Sequence, residues 1–455
     1  MGICERAGLT ERFVLATDLP LPEDLSLAFA VATDDLMIFS DGSPSTTINA
    51  AKAVEQVMVD HGVIKNPDKD VDAALSTTCV GVDLVDGRYW APPGARVWRH
   101  IDAVIDLAAL RIGSRGGVAG FMGSAQWFDL LRRLRLSVFD SAYAFSSGSL
   151  AKDWTQCEVP TEVVNELILD TVFSLFGVVD MQLPFLPIVG ATDASTEFGH
   201  GGVVAQSSIE QVRQIARMAC KLGGHVCMED GPDLPPELLA RLGRRHDVPL
   251  KLRDFDVIFS IHVGCPDHIN IEEGRALIRY LKWVLRSKSR FCHRVVLLVD
   301  SKVVLGAIAK GRSSSKPLNA LVRKAAALCF AGGLTLHCVF ISTKHNPADW
   351  PSRGDASTWP ALLRRRTFRR KVPSRCRGCG LLPENHPQHL PRRERGQAGS
   401  KFNCCRGPTG GFAYDYDTER WRGSYYWVAI HANDIDQASG KNSGLWLPLL
   451  EQDSD

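Results

Sequence analysis

Four acidic residues stand where carboxylates are scarce, and their type and setting point to one kind of chemistry. Asp193 closes Ile188-Val189-Gly190-Ala191-Thr192-Asp193, and Glu273 lies in His268-Ile269-Asn270-Ile271-Glu272-Glu273. Asp300 ends Arg294-Val295-Val296-Leu297-Leu298-Val299-Asp300, and Asp349 lies in His345-Asn346-Pro347-Ala348-Asp349. Each falls where the chain is expected to enter or leave a core, a place acids rarely occupy without a partner. Carboxylates converging there repel one another unless cations sit between them. Paired Mg²⁺ ions are the usual solution, and the making or breaking of phosphodiester bonds is their usual work.

The elements that would position these acids are legible nearby. After Arg294 the run to Val299 is unbroken and apolar, the pattern of a strand buried on both faces. Asp300 follows at its carboxyl end, where open α/β sheets build their sites. Ser301 reads as the cap of a helix through Val304 and Ile308 to Gly311; the competing reading is that Asp300 merely caps that helix. Leu277, Leu281 and Val284 recur at helical spacing, and Glu273 lies in line with them one turn earlier. Glu272 falls on a different face, with Ala276 and Arg279, and reads as a first-turn acid favoured by the helix dipole; the competing reading gives Glu273 the same duty. Asp193 precedes Gly199, Gly201, Gly202, Val203 and Val204, which predicts a hairpin with the acid on its first arm. A third strand is expected at 257–263, and Asp349 follows a strand at 336–341 with Pro347 at N1 of a short helix. The pattern predicts an α/β fold: a mixed sheet with flanking helices and acids at one end.

The stretches ATDAS with GHGGVV after it, HINIEE, LLVDSKVVLGAI and HNPADWPSR together resemble the type-1 ribonuclease H domain of retroelement polyproteins. The resemblance covers about 186–354. It implies a ribonuclease H-like fold and hydrolysis of the RNA strand of an RNA–DNA hybrid. It also implies two divalent ions, Mg²⁺ or Mn²⁺, held by Asp193, Glu273, Asp300 and Asp349. His345 lies near the expected place of an auxiliary histidine, but its spacing to Asp349 does not match.

A second resemblance lies upstream. Residues 32–40, Ala-Thr-Asp-Asp-Leu-Met-Ile-Phe-Ser, are similar to the Asp-Asp hairpin of a reverse-transcriptase palm. GVIKNPDK, the strand 79–84 and GFMGSAQWFDLLRRLRLSVFDSAYAF follow in the order of palm and thumb segments. Ala32 stands where the family has Tyr, and no earlier palm acid precedes Asp34 at a suitable distance. Asp34 and Asp35 are therefore read as vestigial, because nucleotidyl transfer needs a third carboxylate. The missing fingers and palm segment would be a partner.

These readings divide the chain into a partial palm (1–90), a thumb- or connection-like helical region (91–185), a ribonuclease H-like domain (186–355) and a tail (356–455). Asp193 and Glu273 are 80 residues apart (273 − 193), and the excess length forms an insertion at about 208–254. Within it Ile209, Val212, Ile215, Ala216, Met218 and Ala219 predict an amphipathic helix, and a second is expected at 238–242. Such an insertion can cover the hybrid-binding groove or extend it. In the tail, Arg364, Arg365, Arg366, Arg369, Arg370 and Lys371 surround Phe368, a run that can neutralise phosphates or act as a nuclear-import address, the alternative being a solvated linker. Cys376, Cys379, His386 and His389 are a candidate zinc set, with Pro383 and Pro387 favouring an irregular loop instead. Six Tyr and Trp residues (Tyr414, Tyr416, Trp421, Tyr425, Tyr426 and Trp427) resemble nothing further.

Composition is compatible with this organisation. The 455 residues exceed what one core supports, and 45% apolar content suffices for globular folding. A net charge of +2 means that any grip on phosphate comes from local patches. Thirteen scattered cysteines indicate free thiols in a reducing compartment, nucleus or cytoplasm. With no 18-residue apolar run and no signal-peptide core, the chain reads as free of membrane. Arg6 occupies the position where an N-acylation signal beginning at Gly2 needs Ser or Thr. Two functions of different class follow: a metal-dependent ribonuclease H on a polymerase fragment, or a non-catalytic nucleic-acid-binding remnant.

Overall fold

The computed structural model describes residues 2–15, 26–32, 35–41, 43–63, 70–71, 73–219, 224–233, 235, 237, 244–354, 413–415 and 420–422. The chain divides into two compact units, Met1–Thr367 and Phe368–Asp455. Described residues of the second unit pair as two short antiparallel strands, Ala413–Asp415 and Arg420–Arg422.

The acids belong to a five-stranded sheet whose core strand is the apolar run before Asp300. Its strands are β1 (Phe185–Ala194), β2 (Gly199–Gln206), β3 (Phe255–His262), β4 (Arg294–Val299) and β5 (Thr335–Phe340), in the order β3-β2-β1-β4-β5. The first three pair antiparallel, β1 and β2 as a hairpin and β3 after the insertion, and β4 lies parallel to both β1 and β5. This is the ribonuclease H-like mixed sheet expected from the sequence.

Alternation along β4 explains why it sits centrally. Val295, Leu297 and Val299 point to one face and Val296 and Leu298 to the other, all fully buried. Burying each such side chain stabilises by roughly 1.5–3 kcal/mol. The first face is covered by α2 (Ile269–Val284), α3 (Lys302–Lys310) and α4 (Lys316–Gly332), through Leu277, Leu281, Val304 and Val322. The predicted stripe Leu277, Leu281 and Val284 is the buried face of α2. Ser301 caps α3, and Gly311 ends it in a left-handed conformation (φ 73°).

The opposite face is covered by α1 (Ile209–Arg217) and by the strands Gly224–Met228 and Arg244–Val248, all within the insertion. Ser208 and Gln211 form a capping box at the start of α1. The two inserted strands pair parallel, and Val226 bridges to Ile341 just beyond β5. The insertion therefore supplies core to the sheet (Val212, Ile215, Val226, Met228 and Val248) in place of a surface loop. The helix expected at 238–242 lies outside the described residues.

Upstream, the strands Leu27–Ala32 and Asp35–Ser40 form an antiparallel hairpin, packed with the helix Pro44–Asp60 around Phe29 and Val54. Asp34 lies outside the described residues, as does the side chain of Asp35. The strands Thr77–Cys79 and Val82–Val85 pair across a turn in which Val80 and Gly81 both take positive φ. Helices at Gly94–Leu110, Arg115–Asp129, Ser141–Ser146 and Thr161–Ser174 enclose a separate apolar cluster around Met122, Ala125, Phe139 and Leu167. The segment 130–138 joins this helical region to the sheet domain through backbone carbonyls. Arg132 donates to Leu334 O (3.2 Å), while Asn319 and Arg323 donate to Ser137 O (3.1 and 2.8 Å).

One close approach is decisive for α2. A Cβ on Gly190 would lie 2.3 Å from the ring of the fully buried Tyr280, so β1 accepts the helix only because Gly190 has no side chain. Gly190→Ala is expected to cost about 1–3 kcal/mol through overpacking. Urea denaturation of the purified chain checks this, and an unchanged midpoint would disprove it.

Candidate metal centre

The register of the sheet brings two of the acids together. Thr192 on β1 pairs with Val299 on β4, so Asp193 and Asp300, the residues after them, emerge side by side at the same end. Glu273 enters from the second turn of α2, above that end. The ligand oxygens of Asp193, Glu273 and Asp300 lie within 4.8 Å of one another. Asp193 and Glu273 are buried and Asp300 is half-buried. Both competing readings, helix cap for Asp300 and dipole partner for Glu273, miss this convergence.

Asp349 opens the short helix α5 (Asp349–Arg353) and lines the same cleft, of about 270 Å³, with the three other acids, Thr343 and Arg353. It stands apart from the trio, because Arg353 one turn later grips both carboxylate oxygens (2.8 and 3.0 Å). Pro347 is not at N1: the helix begins at Asp349 after Ala348. The reason is Asn346, whose buried side chain accepts from Ala348 N–H (3.0 Å) and donates to Thr192 O (3.1 Å). That pair of bonds makes an Asx turn and ties the loop to β1 beside Asp193. Ser352 Oγ lies 2.5 Å from Asp193 Oδ2 and 2.7 Å from Asp349 O, linking the two acid-bearing elements. A Cβ on Gly201, the register partner of Asp193, would lie 2.4 Å from Ser352 N, so α5 can rest on β2 only at a glycine.

Electrostatics set these acids apart from ordinary surface carboxylates. Glu273 Oε2 and Asp300 Oδ1 are buried and, among the described residues, accept no hydrogen bond. Burial, with Asp300 beside it and Asp349 further off, pushes the Asp193 carboxyl from its usual 3.8 up to about 8. Burial, Asp300 and Asp193 push Glu273 from 4.5 up to about 10. Asp300 is raised chiefly by burial, against hydrogen bonds from Thr343 and Asn346 that favour its charge. Buried oxygens left without donors on Glu273 and Asp300, converging with the Asp193 carboxylate, suit a hard divalent cation with all-oxygen coordination. The three residues can hold a metal ion.

Other expected features fall elsewhere. His345 is buried, with Nδ1 accepting from Met228 N–H (3.1 Å) and Nε2 donating to Pro232 O (2.8 Å). Both ring nitrogens bind the insertion, so His345 anchors that segment and does not face the cleft. No described residue of the insertion lines the cleft. Glu272 is not a solvated first-turn acid: it is fully buried against His200, Arg275 and the backbone of Asp267. Its helical face was legible, since Ala276 is buried with it, but its buried partner on β2 was not. The basic run Arg364, Arg365, Arg366, Arg369, Arg370 and Lys371 and the zinc candidates Cys376, Cys379, His386 and His389 lie outside the described residues. Eight cysteines among the described residues form no disulfide, and no described helix is long and apolar enough to cross a membrane.

No protein-family model and no curated protein matches the chain. Among solved structures it is similar to a foamy viral protease-reverse transcriptase in complex with RNA/DNA hybrid. The identity is 9% and the TM-score 0.27, over 70% of this chain and 56% of that one. A likeness this distant carries no argument about function.

The raised carboxyls make stability depend on pH in a definite direction. Without metal, the folded chain binds these protons more tightly than the unfolded chain, whose carboxyls titrate near 4. Their contribution is complete below about pH 4 and is lost as pH rises toward about 8 for Asp193 and about 10 for Glu273. Metal-free protein is therefore expected to show a falling Tm from pH 5 to 9, and saturating Mg²⁺ should restore it most at the alkaline end. At a hundred times Kd the gain is about 2.7 kcal/mol. Differential scanning calorimetry with and without Mg²⁺ is the check, and a Tm that ignores both pH and metal would contradict it.

Proposed function

We propose that this chain carries a divalent-metal-dependent endonuclease of the ribonuclease H type, which hydrolyses the RNA strand of RNA–DNA hybrids. The observation that carries the reading is the pair of buried, donor-free oxygens on Glu273 and Asp300, converging with Asp193 on an open cleft. In this reading residues 186–355 are the nuclease, 1–90 a partial palm, 91–185 a thumb- or connection-like region, and 356–455 a basic tail that contacts nucleic acid. In the same reading Asp34 and Asp35 are remnants of a retroelement polymerase site.

Divalent cations in such a site polarise the scissile phosphate and activate water for in-line displacement. The chain's own part is positional. Asp193, Glu273 and Asp300 supply hard oxygens on three different elements, and Ser352 and Asn346 keep Asp193 and Asp349 in register. Asp349 would be the carboxylate for a second ion, in exchange for its pair with Arg353. That half-exposed pair is worth only about 0–1 kcal/mol, so the exchange is easy, and the freed guanidinium is then available to a phosphate. Discrimination of RNA from DNA would rest on contacts to 2′-hydroxyls along the cleft.

Full-length protein incubated with labelled RNA–DNA hybrid and Mg²⁺ or Mn²⁺ is expected to cleave the RNA strand alone. Asp300→Asn should lower the rate at least roughly a hundredfold while leaving the circular dichroism unchanged. A folded wild-type chain that binds hybrid without cutting it would instead establish the non-catalytic, nucleic-acid-binding reading.

A further inference from the structure

Beside the metal trio, and outside the cleft, lies a buried polar cluster that the proposed chemistry does not use. Glu272 is fully buried, although it lies in the first turn of α2, where a carboxylate is usually solvated. Burying a charge there costs several kcal/mol unless good donors surround it. Three do. Asp267 N–H and Arg275 Nη1 donate to Oε1 (2.7 and 2.6 Å), and His200 Nε2 lies 2.7 Å from Oε2. His200 is itself fully buried on β2, and its Nδ1 accepts from Arg279 Nε (2.7 Å). With Nδ1 an acceptor, the ring proton sits on Nε2 and points at Glu272, so the neutral imidazole is oriented from both sides.

The two ends of this cluster lie one residue from two ligands. Glu272 precedes Glu273, and His200 pairs across the ladder with Ala194, the residue after Asp193. We propose that the Glu272–His200 contact, braced by Arg275 and Arg279, is a strut that sets the spacing between the strand carrying Asp193 and the helix carrying Glu273. This inference rests on the metal reading of Asp193, Glu273 and Asp300. The three carboxylates repel one another, and α2 is the one element of the three that lies outside the β-ladder and is held to the sheet by side chains alone. A neutral histidine adds no charge to the site, yet fastens that helix to β2 one residue from two of the ligands. Glu272 and His200 do not line the cleft, so they are positioning residues that act through Glu273 and Asp193.

The test is Mn²⁺ binding to full-length protein, followed by calorimetric titration at a temperature where every variant remains folded. Asp300→Asn serves as the control for the site itself. His200→Ala and Glu272→Gln are expected to weaken Mn²⁺ binding by about 10–100-fold. His200→Gln, whose amide still donates to Glu272, should recover most of that loss. A merely structural role would lower the urea midpoint of the metal-free chain and leave the Mn²⁺ affinity at the wild-type value; that result overturns the strut. Glu272→Gln decides the matter if His200→Ala does not fold. Should wild type and Asp300→Asn bind Mn²⁺ equally, the metal reading fails and the strut falls with it.

Discussion

Repulsion between carboxylates at low dielectric is the constraint to which the rest of this domain answers. At a separation of 4.8 Å and an effective dielectric constant of about 20, each fully charged pair costs roughly 3 kcal/mol. Three such acids, two of them almost wholly buried, would drive their elements apart if nothing opposed them. The opposition comes from two sides. The parallel β1–β4 ladder and the apolar layers on both sheet faces make Asp193 and Asp300 neighbours by construction. Polar fastenings then hold the outlying elements: Asn346 and Ser352 for α5, and the Glu272–His200 cluster for α2. Burial first, and this repulsion with it, raises the carboxyls, and protons relieve both when no cation is present.

The insertion shows the same logic of placement. Forty-odd extra residues between β2 and β3 would be tolerated as a loop, because the cost of loop closure grows only slowly with length. Instead they fold back as a helix and a separate two-stranded sheet that complete the core on the face away from α2, with a single bridge from Val226 to Ile341 just beyond β5. His345 is drawn into this arrangement: Gly231 leaves room for its ring, and both its nitrogens are consumed by the insertion backbone. A histidine only one helical turn's length of chain before Asp349 is thus structural, and the cleft stays open.

The joint with the upstream region follows different physics. Arg132 and Arg323 reach backbone carbonyls across it, and carbonyls accept such charge-assisted bonds whatever side chain their residue carries. The contact therefore depends on the positions of α4 and the segment 130–138 more than on matched side chains. It ties the helical region to the sheet domain without touching the acids.

Much of the site could be read from the chain because its signals are local. An apolar run ending in Asp300, a helical stripe in line with Glu273, and an Asn-Pro-Ala-Asp turn each declare themselves within a few residues. The order of strands and helices follows from these periods, and the sheet emerged as read. What could not be read depends on partners far away in the chain. Glu272 and Glu273 are adjacent acids with the same local setting; which is held in a polar cluster and which is left bare is decided by His200, 72 residues earlier, and by Asp300. The polar strand Arg244–Val248 carries no strand signal, and exists because Gly224–Met228 pairs with it. Asp349 looks equivalent to the other acids until Arg353 is seen to hold it. The sequence by itself determined which residues are acids and which elements carry them, since burial periodicity is a property of neighbours. Tertiary structure alone decided how those acids are partnered, because hydrogen bonds and Coulomb forces act over a few ångströms of space and take no account of separation along the chain.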